Sequence, residues 1–69
     1  MTIEDKIITE LSKAPRYFNE LRRLISDEES MEIYATLIQL ERVGKVKSEM
    51  IRSSFENKMR WVRQYSLVG

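Results

Sequence analysis

Apolar residues recur every three or four positions near the start of the chain, which is the period of an amphipathic helix. Thr2 is suited to cap the amino end of this helix, and Asp5 follows at the spacing of a capping box. Because Pro15 disfavours helical geometry at the residue before it, the helix is predicted to end near Lys13. Its apolar face consists of Ile3, Ile7, Ile8 and Leu11.

Two more helical stripes follow. After a short extended link at residues 16–17, Asn19 is the predicted cap of a short second helix. Residues 26–30 are polar and predict a turn, and a third helix is predicted over Met31–Val43, with Gly44 as its stop. The apolar stripes are Leu21, Leu24 and Ile25 in the second helix and Ile33, Leu37 and Leu40 in the third.

From Lys45 the apolar period changes from about 3.6 residues to two, which is typical of β-strands. The alternation resumes at Met59 and continues to Leu67, and Glu56 and Asn57 between the two stretches are turn candidates. We therefore predict a β-hairpin after the three helices. One side of its first strand carries Val46, Ser48 and Met50, and the other carries Lys45, Lys47, Glu49 and Ile51.

Three segments in this order resemble those of small bacterial transcription regulators of the HxlR and MarR kind. RYFNELRRLI, residues 16–25, is similar to their RF-x-ELRR entry into the second helix. LIQLERVGKV, residues 37–46, is similar to their L-x-x-LE-x-x-GLV passage from recognition helix into wing. WVRQYSLV, residues 61–68, resembles their returning wing strand.

The resemblance covers nearly all of the chain and has implications for fold and function. It implies an α+β fold, in which residues 1–69 form a single winged helix-turn-helix domain of three helices and a two-stranded hairpin wing. It further implies a small regulator of transcription that binds double-stranded DNA. One arginine of the ELRR segment, Arg22 or Arg23, is then expected to pair with Glu41, which leaves the other for phosphate.

Composition excludes several classes of function. The 69 residues include no Cys and no His, which removes disulfides, thiolate and imidazole metal ligands, and the most common general base. We therefore expect no enzyme activity, no metal and no cofactor. Apolar runs fall far short of the ~20 residues that span a bilayer, and Met1 leads directly into an amphipathic pattern rather than a signal sequence. A cytoplasmic protein without membrane contact is expected.

The net charge of +1 conceals a division along the chain. Residues 1–41 carry five basic and nine acidic side chains, whereas residues 42–69 carry seven basic and two acidic ones. This asymmetry favours a polyanion partner for the hairpin, where Lys45, Lys47 and Arg60 are expected to form a ribbon of positive charge on one face. A soluble hairpin with lysine-protected edges is the alternative. The predicted phosphate contacts are Arg16, Arg22, Lys45, Lys47, Arg52, Lys58 and Arg60.

The third helix is expected to read few bases, because acids occupy its leading end at residues 27–29 and 32. These acids either cap and solvate the helix, with Asp27 or Ser30 as cap, or they repel DNA and meet a basic partner. A second apolar stripe either packs under the first helix or forms a dimer or partner surface, and its tyrosine is an alternative base-stacking group. The candidates for base or partner contacts are Ser30, Met31, Tyr34, Ile38 and Gln39.

Two functions from different classes remain open. The first is DNA binding through the basic wing, and the second is a protein-interaction module that uses the acidic and apolar face of the third helix. Trp61 is expected to cover the helical core from outside, with stacking on single-stranded nucleic acid as the alternative.

Overall fold

A computed structural model describes residues 1–55 and 58–68 of the chain. Its helices are α1 (Ile3–Lys13), α2 (Phe18–Leu24) and α3 (Ser30–Arg42), and its strands are β1 (Arg16–Tyr17), β2 (Val46–Phe55) and β3 (Lys58–Leu67). The strands form one antiparallel sheet in the order β1-β3-β2. The architecture is α+β and is consistent with a winged-helix-like fold. In the described residues, no helix is both long enough and apolar enough to cross a bilayer.

Helix α1 has the limits that its sequence predicts. The backbone N–H of Asp5 donates a hydrogen bond to Oγ1 of Thr2 at 3.1 Å, which satisfies one of the unpaired donors at the helix start. At the other end Ala14 is extended, with φ −171° and ψ 157°, as the following Pro15 requires. The predicted cap and the predicted end near Lys13 are both confirmed.

The caps of the next two helices differ from the prediction. Helix α2 begins at Phe18, before the predicted cap Asn19. The backbone N–H of Tyr17 donates a hydrogen bond to the carboxylate of Glu20 at 3.0 Å, which stabilises this earlier start. Tyr17 therefore flanks the helix in place of Asn19. Helix α3 begins at Ser30, and its flanking residue is Glu29 rather than Asp27 or Ser30. The existence of each helix is confirmed, and the boundaries shift by one or two residues.

The three helical stripes and the base of the hairpin form one apolar core. Burying each of these aliphatic side chains contributes about 1.5–3 kcal/mol, and none of the described charged side chains is buried with them. The prediction for Leu24 is wrong: it was expected to face the core, but it is 48% exposed at the last position of α2. The core consists of Ile7, Leu11, Leu21, Ile25, Ile33, Leu37, Leu40, Val46 and Tyr65.

The link at residues 16–17 is a strand, which makes the sheet three-stranded rather than two-stranded. Arg16 lies opposite Tyr65 of β3, and Tyr17 lies opposite Gln64. Strand β3 uses one edge to pair with β2, so its other edge has backbone donors and acceptors available for β1. From Lys58 to Arg63 that second edge of β3 has no neighbour among the described strands.

The transition from α3 to β2 depends on Gly44. Its φ of +82° lies in the left-handed region, which glycine adopts without strain. The N–H of Lys45 donates to the carbonyl of Leu40 at 2.9 Å, and the N–H of Gly44 donates to that of Glu41 at 3.1 Å. These two bonds form a Schellman motif that closes the helix, so the predicted stop at Gly44 is confirmed.

The predicted hairpin is confirmed, and its strands are longer than expected. Pairing runs from Val46 opposite Leu67 to Phe55 opposite Lys58, and the predicted turn at residues 56–57 lies outside the described residues. Ten residues of strand span roughly 33 Å, against roughly 20 Å for the thirteen residues of α3. The molecule measures 39 × 26 × 21 Å, so the hairpin extends past the helices. We call the extending part, residues 50–55 and 58–63, the arm.

Candidate nucleic-acid interface

Side chains of the hairpin divide between two faces. Directly opposed residues share a face, and every second residue along a strand returns to it. The helix-side face is the one on which Val46 and Tyr65 are buried against the helices, and the outer face is the opposite one. The helix-side face carries the cations Arg52 and Arg63, and the outer face carries Lys47, Lys58 and Arg60.

Of the predicted ribbon of Lys45, Lys47 and Arg60, two members share a face and Lys45 pairs with α1 instead. Lys47 and Arg60 share the outer face as expected, but Arg52 is five residues from Lys47 on the same strand and points the other way. Lys45 precedes β2, and its Nζ lies 3.4 Å from Oε1 of Glu4 in α1. The hairpin presents its cations in two directions.

Two of the predicted phosphate contacts already have carboxylate partners within the fold. Arg16 lies 3.9 Å from a carboxylate oxygen of Glu10 and 3.8 Å from one of Glu20, and its side chain is 23% exposed. Lys45 pairs with Glu4, as described above. These partners compete with phosphate, so Arg16 and Lys45 are weaker candidates than the other five.

The remaining five predicted phosphate contacts are exposed, and no described carboxylate lies within ion-pair distance of them. The same holds for three arginines that were not among the predicted contacts, Arg23, Arg42 and Arg63. Arg23 was expected only as one of two alternatives for a phosphate contact and Arg63 only as part of the basic hairpin, because how close they lie to the other cations depends on how α2 docks beside the sheet. The five are Arg22, Lys47, Arg52, Lys58 and Arg60.

A groove of about 530 Å³ separates the amino-terminal part of α2 from the arm. Strand β1 pairs only with Gln64 and Tyr65 of β3, and the groove lies along the residues of β3 that precede this pairing. Three guanidinium groups and one carboxylate, that of Glu20, contribute to its walls, so its electrostatic potential favours anions. The arginines are Arg23, Arg60 and Arg63, and the apolar wall includes Tyr17, Phe18 and Val62.

Aromatic contacts connect this groove to α3. The rings of Phe18 and Tyr34 meet edge to face, with centroids 5.6 Å apart and an interplanar angle of 76°. The guanidinium carbon of Arg22 lies 6.0 Å from the centroid of the Phe18 ring. A basic and aromatic surface thus continues from the arm across α2 to the start of α3.

The second apolar stripe of α3 is exposed. Met31 is 81% exposed, Tyr34 is 45% exposed and Ile38 is 41% exposed, so the interpretation in which they pack under α1 is wrong. Helix α1 packs instead on the stripe of fully buried residues that faces it. Three of the predicted contact residues, Ser30, Met31 and Tyr34, line one shallow groove of about 250 Å³ beside Phe18.

The other two predicted contact residues of α3 lie apart from this groove. Ile38 is one helical turn beyond Tyr34 on the same side, whereas Gln39 is rotated by about 100° from Ile38 around the helix axis. Both are exposed. The predicted contact set is therefore an apolar stripe of Met31, Tyr34 and Ile38, with Ser30 beside its first residue and Gln39 apart from it.

The acids before α3 have a role that the sequence analysis missed. Nζ of Lys6 in α1 donates a hydrogen bond to Oδ2 of Asp27 and another, at 3.2 Å, to Oε2 of Glu28. The hydrogen bond from Lys6 holds the pKa of Asp27 below its ordinary value, and the same bond raises the pKa of Lys6. Two of the four acids thus join α1 to the turn before α3. A pair 21 residues apart leaves no local signal in the sequence.

Two further expectations are corrected. Neither Arg22 nor Arg23 forms an ion pair with Glu41 in the described chain, and Arg22 lies over the Phe18 ring instead. Trp61 is 64% exposed and does not cover the core. It shares the helix-side face with Tyr65, but it lies four residues farther out, beyond the reach of the helices.

Comparison with known proteins extends the description of the fold. No protein-family model and no curated protein matches the chain. Among solved structures, the chain is similar to Stf76 from the Sulfolobus islandicus plasmid-virus pSSVx, with a TM-score of 0.77 and 20% sequence identity. The alignment covers 97% of this chain and 82% of that chain. At this identity the likeness concerns the fold: the three helices and three-stranded sheet described above have a counterpart in a protein from a plasmid-virus.

Proposed function

We propose that this protein binds double-stranded DNA in the cytoplasm and acts as a small transcription regulator. In this proposal the hairpin and the arginines in the last turn of α2, Arg22 and Arg23, contact phosphates. The observation that carries the proposal is the distribution of ion pairs. Cations on α1 and near it pair with carboxylates, whereas those of α2 and the hairpin are exposed and have no described carboxylate partner.

Exposed cations without partners are suited to bind a polyanion. An arginine that is already paired with a carboxylate must give up that partner before it binds phosphate, and an unpaired one gives up only water and counterions. Phosphate binding then releases the counterions condensed on DNA, which is favourable and strongly dependent on salt. Because the cations lie on both faces of a narrow arm and on α2 beside it, they reach phosphates on more than one side of the arm.

Sequence recognition by α3 is expected to be weak. Its exposed stripe is apolar, and Glu29 and Glu32 remain exposed at its leading end. Specific readout in the major groove depends on side chains such as Arg, Lys, Asn and Gln that hydrogen-bond to base edges. We therefore expect phosphate contacts to dominate, with affinities near the non-specific range of about 10⁻⁴ to 10⁻⁶ M at physiological salt.

The salt dependence of duplex affinity tests this proposal. If four cations each neutralise a phosphate, the logarithm of the association constant falls with the logarithm of salt concentration at a slope of about −3.6. Replacing Lys47 and Arg60 by glutamine should bring the slope to about −1.8, since two contacts are lost. The matched control is Lys13→Gln in α1, an exposed lysine whose Nζ lies 3.6 Å from Glu10 and which should leave the slope unchanged.

Two outcomes would contradict the proposal. One is duplex binding with no salt dependence, because it would mean that phosphate contacts contribute little. The other is an equal loss of affinity in Lys13→Gln and in the double variant, because it would mean that total charge rather than the position of the cations decides binding.

The exposed stripe on α3 favours a second candidate function, a protein-interaction module. This stripe consists of Met31, Tyr34 and Ile38, and it remains exposed to solvent in the described structure. An exposed apolar stripe is characteristic of a site for a partner helix or a second copy of the chain. Sedimentation analysis of the protein and of Ile38→Ser tests this candidate. A dimer that Ile38→Ser dissociates, together with no salt-sensitive DNA binding, would favour the interaction module over DNA binding.

A further inference from the structure

The helix-side face of the arm exposes apolar side chains that have no role in duplex binding through phosphate contacts. Trp61 is 64% exposed, Met59 is 55% exposed and Met50 is 52% exposed, although this side of the sheet is the one that forms the core at its base. The helices cover the sheet only near Val46 and Tyr65. The outer half of this face therefore carries apolar side chains in contact with water.

Strand register places an arginine opposite two of these apolar side chains. Met50 lies opposite Arg63, and Trp61 lies opposite Arg52. Opposed Cβ atoms in an antiparallel pair are about 5 Å apart, and residues two apart along a strand are separated by about 7 Å. Trp61 is consequently adjacent to Met59 and Arg63 along its own strand, opposite Arg52 and diagonal to Met50.

The charge of this face argues against two kinds of occupant. Its six described side chains include two arginines and no acid. A second copy packed face to face would bring four guanidinium groups together without a carboxylate from either face, which is repulsive. An uncharged apolar partner would remove the guanidinium groups from water without pairing them, which is also unfavourable.

We propose that the helix-side face of the arm binds single-stranded nucleic acid. An unpaired base stacks on the indole of Trp61, Met50 and Met59 extend the apolar platform, and Arg52 and Arg63 contact the flanking phosphates. Nucleotides alternate an apolar π face with an anionic phosphate, and this face of the arm alternates apolar side chains with cations. Bases inside a duplex are stacked on each other, so their faces are not available to Trp61. This inference goes beyond the duplex binding proposed above and does not depend on it.

Trp61 is also the probe for the test, because it is the only tryptophan in the chain. The protein is titrated with an oligothymidylate and an oligouridylate of about eight nucleotides, a length within the site range of single-strand binding domains. We expect both titrations to quench the tryptophan emission, since stacking on a base quenches indole fluorescence. The tighter of the two ligands identifies whether DNA or RNA is the preferred source of the unpaired bases.

Variants locate the contact, with affinity measured by the anisotropy of a labelled oligonucleotide. Trp61→Ala should weaken single-strand binding roughly 5- to 150-fold, which corresponds to the loss of one stacked base. Trp61→Phe should retain most of the affinity, and Arg52→Gln should weaken binding and reduce its salt dependence. Val43→Ala is the matched control, because it shortens another exposed apolar side chain, at the end of α3, and should leave single-strand affinity unchanged.

Three results would overturn the inference. The first is an oligonucleotide that leaves the tryptophan emission unchanged and binds Trp61→Ala as tightly as it binds the unaltered protein. The second is equal quenching and displacement by polyglutamate, because it would assign the face to acidic peptides. The third is equal quenching by a blunt duplex, because it would make the face part of the duplex interface. The salt slope for duplex DNA is a separate readout, so failure here and failure of the proposed duplex binding are distinguishable.

Discussion

At the scale of single residues, Lys6 decides what the acids before α3 can do. Its ammonium group hydrogen-bonds to Asp27 and Glu28, so these two carboxylates are directed toward α1. The sequence showed the four acids and the conflict with DNA expected from them, but it did not reveal the lysine, because the contacts join residues 21 and 22 positions apart. Only Glu29 and Glu32 are left to oppose a polyanion at the start of α3.

Replacing Lys6 by glutamine should therefore raise the pKa of Asp27 toward its ordinary value. A carboxyl whose folded pKa is lowered contributes stability that is complete above its unfolded pKa, near 4, and is lost as the pH falls through the folded value. The unaltered protein should lose stability over this acidic range more steeply than Lys6→Gln. An NMR titration of the Asp27 carboxyl checks the shift, and unfolding at several pH values checks the slope. An unchanged Asp27 pKa in the variant would show that Lys6 is not its partner in solution.

At the scale of elements, regular periodicity predicted three helices and a hairpin, and all four are present. Strand β1 was missed as a strand because two residues are too short to show an alternation and their partners lie in β3. The division of cations between two faces follows from the parity of their positions, which the sequence contains. The exposure of Trp61 could not be predicted from parity, because it depends on how far the helices extend along the sheet.

Gly44 provides a test of the join between α3 and β2. An added Cβ would meet nothing within 4 Å, so any cost of Gly44→Ala comes from the backbone at φ +82° and not from a clash. We expect Gly44→Ala to lower the free energy of unfolding by roughly 1–2 kcal/mol. Gly44→Asn should cost less, because asparagine tolerates the left-handed region better. Chemical denaturation measures both, with Gln39→Ala on exposed α3 surface as the control.

The order of stability should be glycine, then asparagine, then alanine. If alanine proved as stable as glycine at this position, the left-handed conformation of Gly44 would not be what closes α3. Gln39→Ala should change the free energy of unfolding by no more than about 0.5 kcal/mol, as is usual for exposed substitutions.

At the scale of the whole molecule, the charge division in the sequence becomes a spatial one. The acidic first part folds into the helical body, where several of its carboxylates pair with lysines and Arg16, and the basic second part forms a hairpin that extends beyond this body. The location of the positive field was predictable from residue counts. Its continuation onto α2 was predicted only in part: Arg22 was an expected phosphate contact, but the position of Arg23 beside β3 depends on how α2 packs.

The central claim is that contact with a duplex comes mainly from the hairpin. Its most direct test is an amide NMR titration with a short DNA duplex at about 50 mM and about 200 mM salt. We predict shifts at Lys47, in the described arm residues 50–55 and 58–63 and at Arg22 and Arg23 of α2, with much smaller shifts at the higher salt concentration. Shifts that fall on Met31, Tyr34 and Ile38 while the arm amides stay unchanged would contradict the claim.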